Sequence, residues 1–93
     1  MNKTQRRARE KRAKLIADKL GATLRAQRQA RGLSLDALAA MTHIDKSWLS
    51  KMERGEAGTL LVGYEDIARA LGWTLPAMFA AAFPPGADSL DAR

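Results

Sequence analysis

The chain has no cysteine and one histidine, His43. Disulfide frameworks, zinc–thiolate sites and thiol nucleophiles are thereby excluded. A lone imidazole also rules out a histidine metal cluster. No apolar run approaches the roughly 18 residues that a membrane-spanning helix needs. The N-terminus is basic, but no apolar stretch of a signal peptide follows it. A reducing, cytoplasmic location beside DNA is the expectation, with no membrane partner. There is no acid/base pair in a plausible pocket, no nucleophile with its base, no phosphate-cradling glycine loop and no metal set. No enzymatic activity, catalytic residue, metal or cofactor is therefore expected. β-Branched residues are few, alanine is the commonest residue, and most apolar positions are Ala, Leu or Met. These are strong helix formers, so the fold should be all-α.

What is present fits one domain of 93 residues. A hydrophobic fraction of 46% supports a core rather than a disordered chain. A core this small leaves much surface in water, so dimerisation or a partner would help it. The net charge of +6 is unevenly placed. Residues 1–20 carry Lys3, Arg6, Arg7, Arg9, Lys11, Arg12, Lys14 and Lys19 against Glu10 and Asp18, a net of +6. Residues 21–54 carry Arg25, Arg28, Arg31, Lys46, Lys51 and Arg54 against Asp36, Asp45 and Glu53, a net of +3. Residues 55–93 come to −3. A basic arm, a mildly basic module and an acidic end are the asymmetry expected when one face meets a polyanion. A solvated, solubilising arm is the plainer reading of the same charge.

Ala13, Ile16, Ala17, Leu20 and Leu24 recur at helical spacing. They predict one long helix, or two joined near Gly21, ending at Gly32, with the first residues frayed. Ser34 is the expected N-cap of a second helix, with Leu35, Leu38 and Ala39 as its buried stripe. Asp45 should cap a third helix that hides Leu49 and Met52 and stops at Gly55. A loop through Gly58 follows. Leu61, Tyr64, Ile67, Ala68 and Leu71 mark a fourth helix, which Gly63 could delay to about Val62 or Gly63. Thr74 should cap a fifth, with Pro76 tolerated in its first turn. Pro84 and Pro85 end it. Residues 1–19 thus read as a basic arm or helical extension, 20–83 as the folded domain and 84–93 as a flexible tail.

Ser34 to Gly55 meets the requirements of a DNA-reading helix-turn-helix. Ala39 is small where the two helices would cross, and His43 stands where the turn needs a left-handed residue, with some strain expected there. Ile44 is a buried aliphatic after the turn. Leu49 and Met52 hide one stripe of the third helix, while Lys46, Ser47, Ser50 and Lys51 present a polar face.

From about Leu20 to Phe79 the chain resembles the Cro/C1-type, xenobiotic-response-element-like, helix-turn-helix regulators. The marks are Leu24, Arg28, Arg31-Gly32-Leu33-Ser34, Leu38-Ala39, Leu49-Ser50, Met52-Glu53-Arg54-Gly55, Ile67-Ala68-Arg69-Ala70-Leu71-Gly72 and Leu75. The resemblance implies a five-helix, lambda-repressor-like domain with a basic N-terminal helical extension. It implies base reading by Lys46, Ser47 and Lys51; Lys can donate to guanine and Ser can serve either base type. Trp48 lies beside them, against DNA or over the core edge near Leu35. Phosphate contacts are expected from Ser34, Ser50 and Arg54, and from Arg6, Arg7, Arg9, Lys11 and Arg12 of the arm. Arg28 and Glu53 are implied to pair, tying the first helix to the end of the third. Family members often place Gln where this chain has Leu35, and Gly where it has His43. Leu35 could instead pack on Trp48 or reach a thymine methyl.

The expected function is sequence-specific repression of transcription by a homodimer on a palindromic operator in double-stranded DNA. Its dimer surface would be the apolar last helix, with Leu75, Met78, Phe79 and Phe83. The arm could instead pair with a second copy through Ala13, Ile16, Leu20 and Leu24. A second regulator protein is a further candidate partner. An antitoxin-like or protein-recruiting module of the same fold is the alternative function, and a non-specific nucleic-acid chaperone a third.

Overall fold

A computed structural model describes residues 1–56 and 61–86. They form five helices: α1 (Lys3–Ala30), α2 (Leu35–Thr42), α3 (Lys46–Glu53), α4 (Leu61–Ala70) and α5 (Leu75–Ala82). The loop through Gly58 lies outside the described residues, as does all of the expected tail beyond residue 86. α1 packs on α3 and α5, α2 on α3 and α4, and α4 on α5. Each helix thus leans chiefly on two others, in a closed ring. Its centre is filled by Leu24, Leu38, Leu49, Met52, Ile67, Leu71 and Met78, all almost fully buried. Truncating one of these side chains to Ala would cost about 2–5 kcal/mol, the lost transfer energy plus the cavity.

α1 is one unbroken helix of 28 residues through Gly21. At 1.5 Å per residue it accounts for the molecule's 42 Å long dimension. Its N-terminus is closed by a capping box rather than frayed. The Asn2 side chain accepts from the Gln5 backbone N–H at 2.8 Å, and the Gln5 side chain accepts from the Asn2 N–H at 3.0 Å. Residues 1–16 are exposed, whereas Leu20 and Leu24 are buried in this chain's own core. Leu20 and Leu24 are therefore unavailable for a helical seam with a second copy, and only Ala13 and Ile16 of that stripe stay in water.

Gly21 is where α1 comes closest to α3. A Cβ there would stand 2.6 Å from the Glu53 carbonyl oxygen and nearer still to that of Met52. Those are backbone atoms, so any side chain would force the two helices apart. The same contact is clamped by charge. Arg28 donates from Nε to Glu53 at 2.7 Å and from Nη2 at 3.0 Å, and from Nη1 to the Leu33 carbonyl at 2.8 Å. The two side chains are 12% and 7% exposed. Such a bidentate pair is geometrically specific as well as strong, and its hydrogen bonds raise the arginine's pKa.

Three short helices start on side-chain caps. Ser34 accepts from the Ala37 N–H at 3.0 Å, Asp45 from Ser47 at 3.0 Å and Thr74 from Ala77 at 3.2 Å. His43 closes α2 at φ 60°, ψ 21°, the left-handed region that the turn demands. α4 begins at Leu61 and includes Gly63, which is buried. In α5 the structure departs from the expected dimer surface at Met78. Met78 is fully buried and belongs to the monomer's core. Position 78 falls on the helix side that α1 and α4 cover, which leaves Leu75, Phe79 and Phe83 half-buried along its edge.

Arg28→Ala leaves Glu53 buried without its cation. It should destabilise the fold by about 3 kcal/mol, the lower end for breaking a buried pair from one side. Urea unfolding measures this through the midpoint, and an unchanged midpoint contradicts the clamp.

Candidate nucleic-acid interface

Three side chains of α3 face inward. Leu49 and Met52 are buried and Glu53 is held by Arg28. At 3.6 residues per turn the opposite side carries Ser47, Lys51 and Arg54, with Lys46 and Ser50 toward α2 and Trp48 on the far edge. Lys46, Ser47, Trp48, Lys51 and Arg54 are all exposed, and Ser50 is half-buried. All four expected base-reading residues are thus exposed on a single helix, Ser47 and Lys51 on its outward side and Lys46 and Trp48 on its two flanks.

Several of these side chains are held by acidic neighbours. Lys46 Nζ lies 3.1 Å from the Asp36 carboxylate on α2, with both side chains in water. The Ser47 hydroxyl donates to Asp45, the residue that caps its own helix. Hydrogen bonds from Ser47 keep the Asp45 carboxyl below the usual carboxylate range. The cap therefore contributes above that range and is lost as pH falls through the lowered pKa. Arg54 donates to Glu56 at 2.8 Å and also to the Ser50 hydroxyl. Lys51 has no ion pair among the described residues. Exposed pairs of this kind are worth about 0–1 kcal/mol, so they hold side chains without preventing an exchange for phosphate or base.

Between the start of α2 and the exposed side of α3 lies a cleft of about 300 Å³, lined by Leu35, Lys46, Ser47, Ser50, Lys51 and Arg54. Trp48 is not among its walls. Trp48 is 41% exposed on the other edge of α3. Ser34 spends its side-chain oxygen on the Ala37 N–H, which leaves its hydroxyl hydrogen free to donate.

The arm leaves the globule beside the C-terminal end of α3. Lys14 donates to the Gly55 carbonyl at 3.0 Å and pairs with Asp18 at 2.8 Å. Gly55, at φ +70°, sits directly on Asp18 with no room for a side chain. This junction was not evident from sequence spacing, because Lys14 and Gly55 are 41 residues apart. Beyond it Arg6, Arg7, Arg9, Lys11 and Arg12 are all exposed. At 100° per residue they point to every side of α1, so no single strand of phosphates can meet all five at once.

Among the described residues, no cluster of three or more His, Cys, Asp or Glu could hold a metal, and no helix is long and apolar enough to cross a membrane.

Comparison with known proteins agrees with this geometry. A helix-turn-helix domain family model matches residues 19–78; the arm lies before that match. No curated protein sequence matches the chain. Among solved structures, the restriction-modification controller protein C.AhdI from Aeromonas hydrophila is 35% identical. That alignment covers 68% of this chain and 96% of that one, at a TM-score of 0.66. The clp gene regulator ClgR from Corynebacterium glutamicum is 28% identical over 72% of this chain and 86% of that one, at 0.70. An HTH_3 family transcriptional regulator from Vibrio cholerae is 34% identical over 73% of this chain, at 0.69; the chain spans 38% of its length. The fold shared with them is the lambda-repressor-like one. The chain belongs to the helix-turn-helix domain family, and within it to the Cro/C1-type, xenobiotic-response-element-like regulators.

Proposed function

We propose that this protein is a sequence-specific repressor of transcription that binds a palindromic operator as a homodimer. The observation that carries the reading is the outer side of α3. Lys46, Ser47, Trp48 and Lys51 stand exposed together on a helix whose far end is clamped by Arg28 and Glu53. A rigid helix with a polar, cationic side fits the major groove, where Lys and Ser can donate to base edges. Ser34 and Ser50 flank that side and Arg54 follows it, at places suited to phosphate. The arm adds affinity that does not depend on sequence. Two copies would meet along α5, where Leu75, Phe79 and Phe83 recur every fourth residue and are each half-buried. Occupying a promoter would be enough to repress it.

Selection of bound duplexes from a random pool at physiological salt tests this reading. The expected product is an inverted repeat with half-sites about one turn, roughly 34 Å, apart. Lys51→Ala should then relax preference at one position per half-site, at a cost of about 1–3 kcal/mol. Failure to enrich any duplex contradicts the reading. For the arm, deleting residues 1–14 should weaken binding to all duplexes alike. It should also flatten the salt dependence by about 0.9 in log–log slope per lost phosphate contact. Loss of dimerisation with an unchanged slope per subunit would assign the arm to the dimer interface instead.

A further inference from the structure

Resting on the proposed reading of DNA by α3, the cleft beside Leu35 identifies one chemical group that this side would recognise. Its walls are two hydroxyl residues, Ser47 and Ser50, and three cations, Lys46, Lys51 and Arg54. Leu35 is the sole apolar residue among them. It is half-buried and packs from below against the hydrophobic core. Its exposed part is therefore held in place in a cleft that three cations also line. Two of them are themselves held, Lys46 by Asp36 and Arg54 by Ser50 and Glu56.

A single fixed apolar side chain in a cleft shared with cations suits a polyanion that bears a small apolar projection. A leucine cannot donate to phosphate, so Leu35 has nothing to offer the sugar-phosphate backbone except exclusion of water. Duplex DNA carries one apolar projection in its major groove, the 5-methyl group of a pyrimidine, and apolar side chains recognise it there by contact. Lys46, Ser47 and Lys51 around the same cleft would meet the polar edges of that base and its neighbours. The geometry points to Leu35 as the receptor for a pyrimidine 5-methyl group. Thymine supplies that group in ordinary DNA, and 5-methylcytosine supplies the same group in methylated DNA.

The test uses the duplex enriched by selection and the full-length protein. Each thymine is replaced singly by uracil, which removes only the methyl group. Each cytosine is replaced singly by 5-methylcytosine, which adds one. Dissociation constants are measured for the wild type, Leu35→Ala and Leu35→Gln. One thymine per half-site should weaken wild-type binding about fourfold on conversion to uracil, the worth of one buried methyl. Both variants should be indifferent to that conversion. If the source is 5-methylcytosine, one methylated cytosine should tighten wild-type binding by a similar factor and leave the variants unchanged. Equal responses in all three proteins, or no response in any, overturn the inference. Leu35→Gln keeps the side chain's length, so it still decides the matter if Leu35→Ala does not fold. A urea-unfolding midpoint near that of the wild type confirms that a variant is folded. A chain that enriches no duplex at all overturns the DNA-reading role itself, whereas an enriched duplex with silent methyl groups overturns only the role of Leu35.

Discussion

The rest of the structure depends on the contact between the middle of α1 and the last turn of α3. Gly21 removes the side chain that would hold the helices apart, and Arg28 then reaches Glu53 with two donors. Steric permission and electrostatic attraction act within two turns of one helix. The result fixes α3 at its C-terminal end, while Asp45 caps its N-terminal end. A helix of eight residues is too short to be stable alone. Held at both ends and packed through Leu49 and Met52, it becomes a rigid bar with one free side. That side carries the chain's candidate base-reading residues.

Charge is divided in a way that assigns different work to the two basic regions. On α3 the cations stand beside acids of the same chain: Lys46 with Asp36, and Arg54 with Glu56. These pairs lower the long-range pull on DNA but orient the side chains. In the arm, Arg6, Arg7, Arg9, Lys11 and Arg12 have no such partners among the described residues and point round the whole helix. A strong, undirected positive field suits attraction to any duplex, and it weakens as salt rises. The family match begins after the arm. Lys14 and Asp18, just before that match, lie against Gly55 within it.

Much of the fold was legible because its signals are local. Ser34, Asp45 and Thr74 announce helix starts by their side-chain chemistry, and all three accept from the expected first turns. His43 follows from the need for a left-handed residue between two short helices, and it takes that conformation. The Asn2–Gln5 capping box was equally local but was hidden by the expectation that a basic arm frays. What could not be read were choices made by tertiary packing. Gly21 looks like a weakness in a helix until α3 lies across it. Leu20 and Leu24 suit a dimer seam as well as a core by periodicity alone, and burial decides for the core. Met78 suits a core or a partner surface equally by its spacing, and burial decides for the core: apolar spacing identifies a stripe, but not which neighbour covers it. The cleft at Leu35 is created by two helices meeting, so no single segment reveals it.

The central claim is that a clamped α3 presents its outer side to DNA. Titrating labelled protein with the selected duplex and following backbone amide resonances tests this most directly. The account predicts the largest shifts at Lys46, Ser47, Ser50 and Lys51 and at Leu35, seen with the selected duplex and not with a random one, while amides of residues 3–14 shift with both. Shifts confined to the arm for both duplexes, with α3 silent, would contradict it.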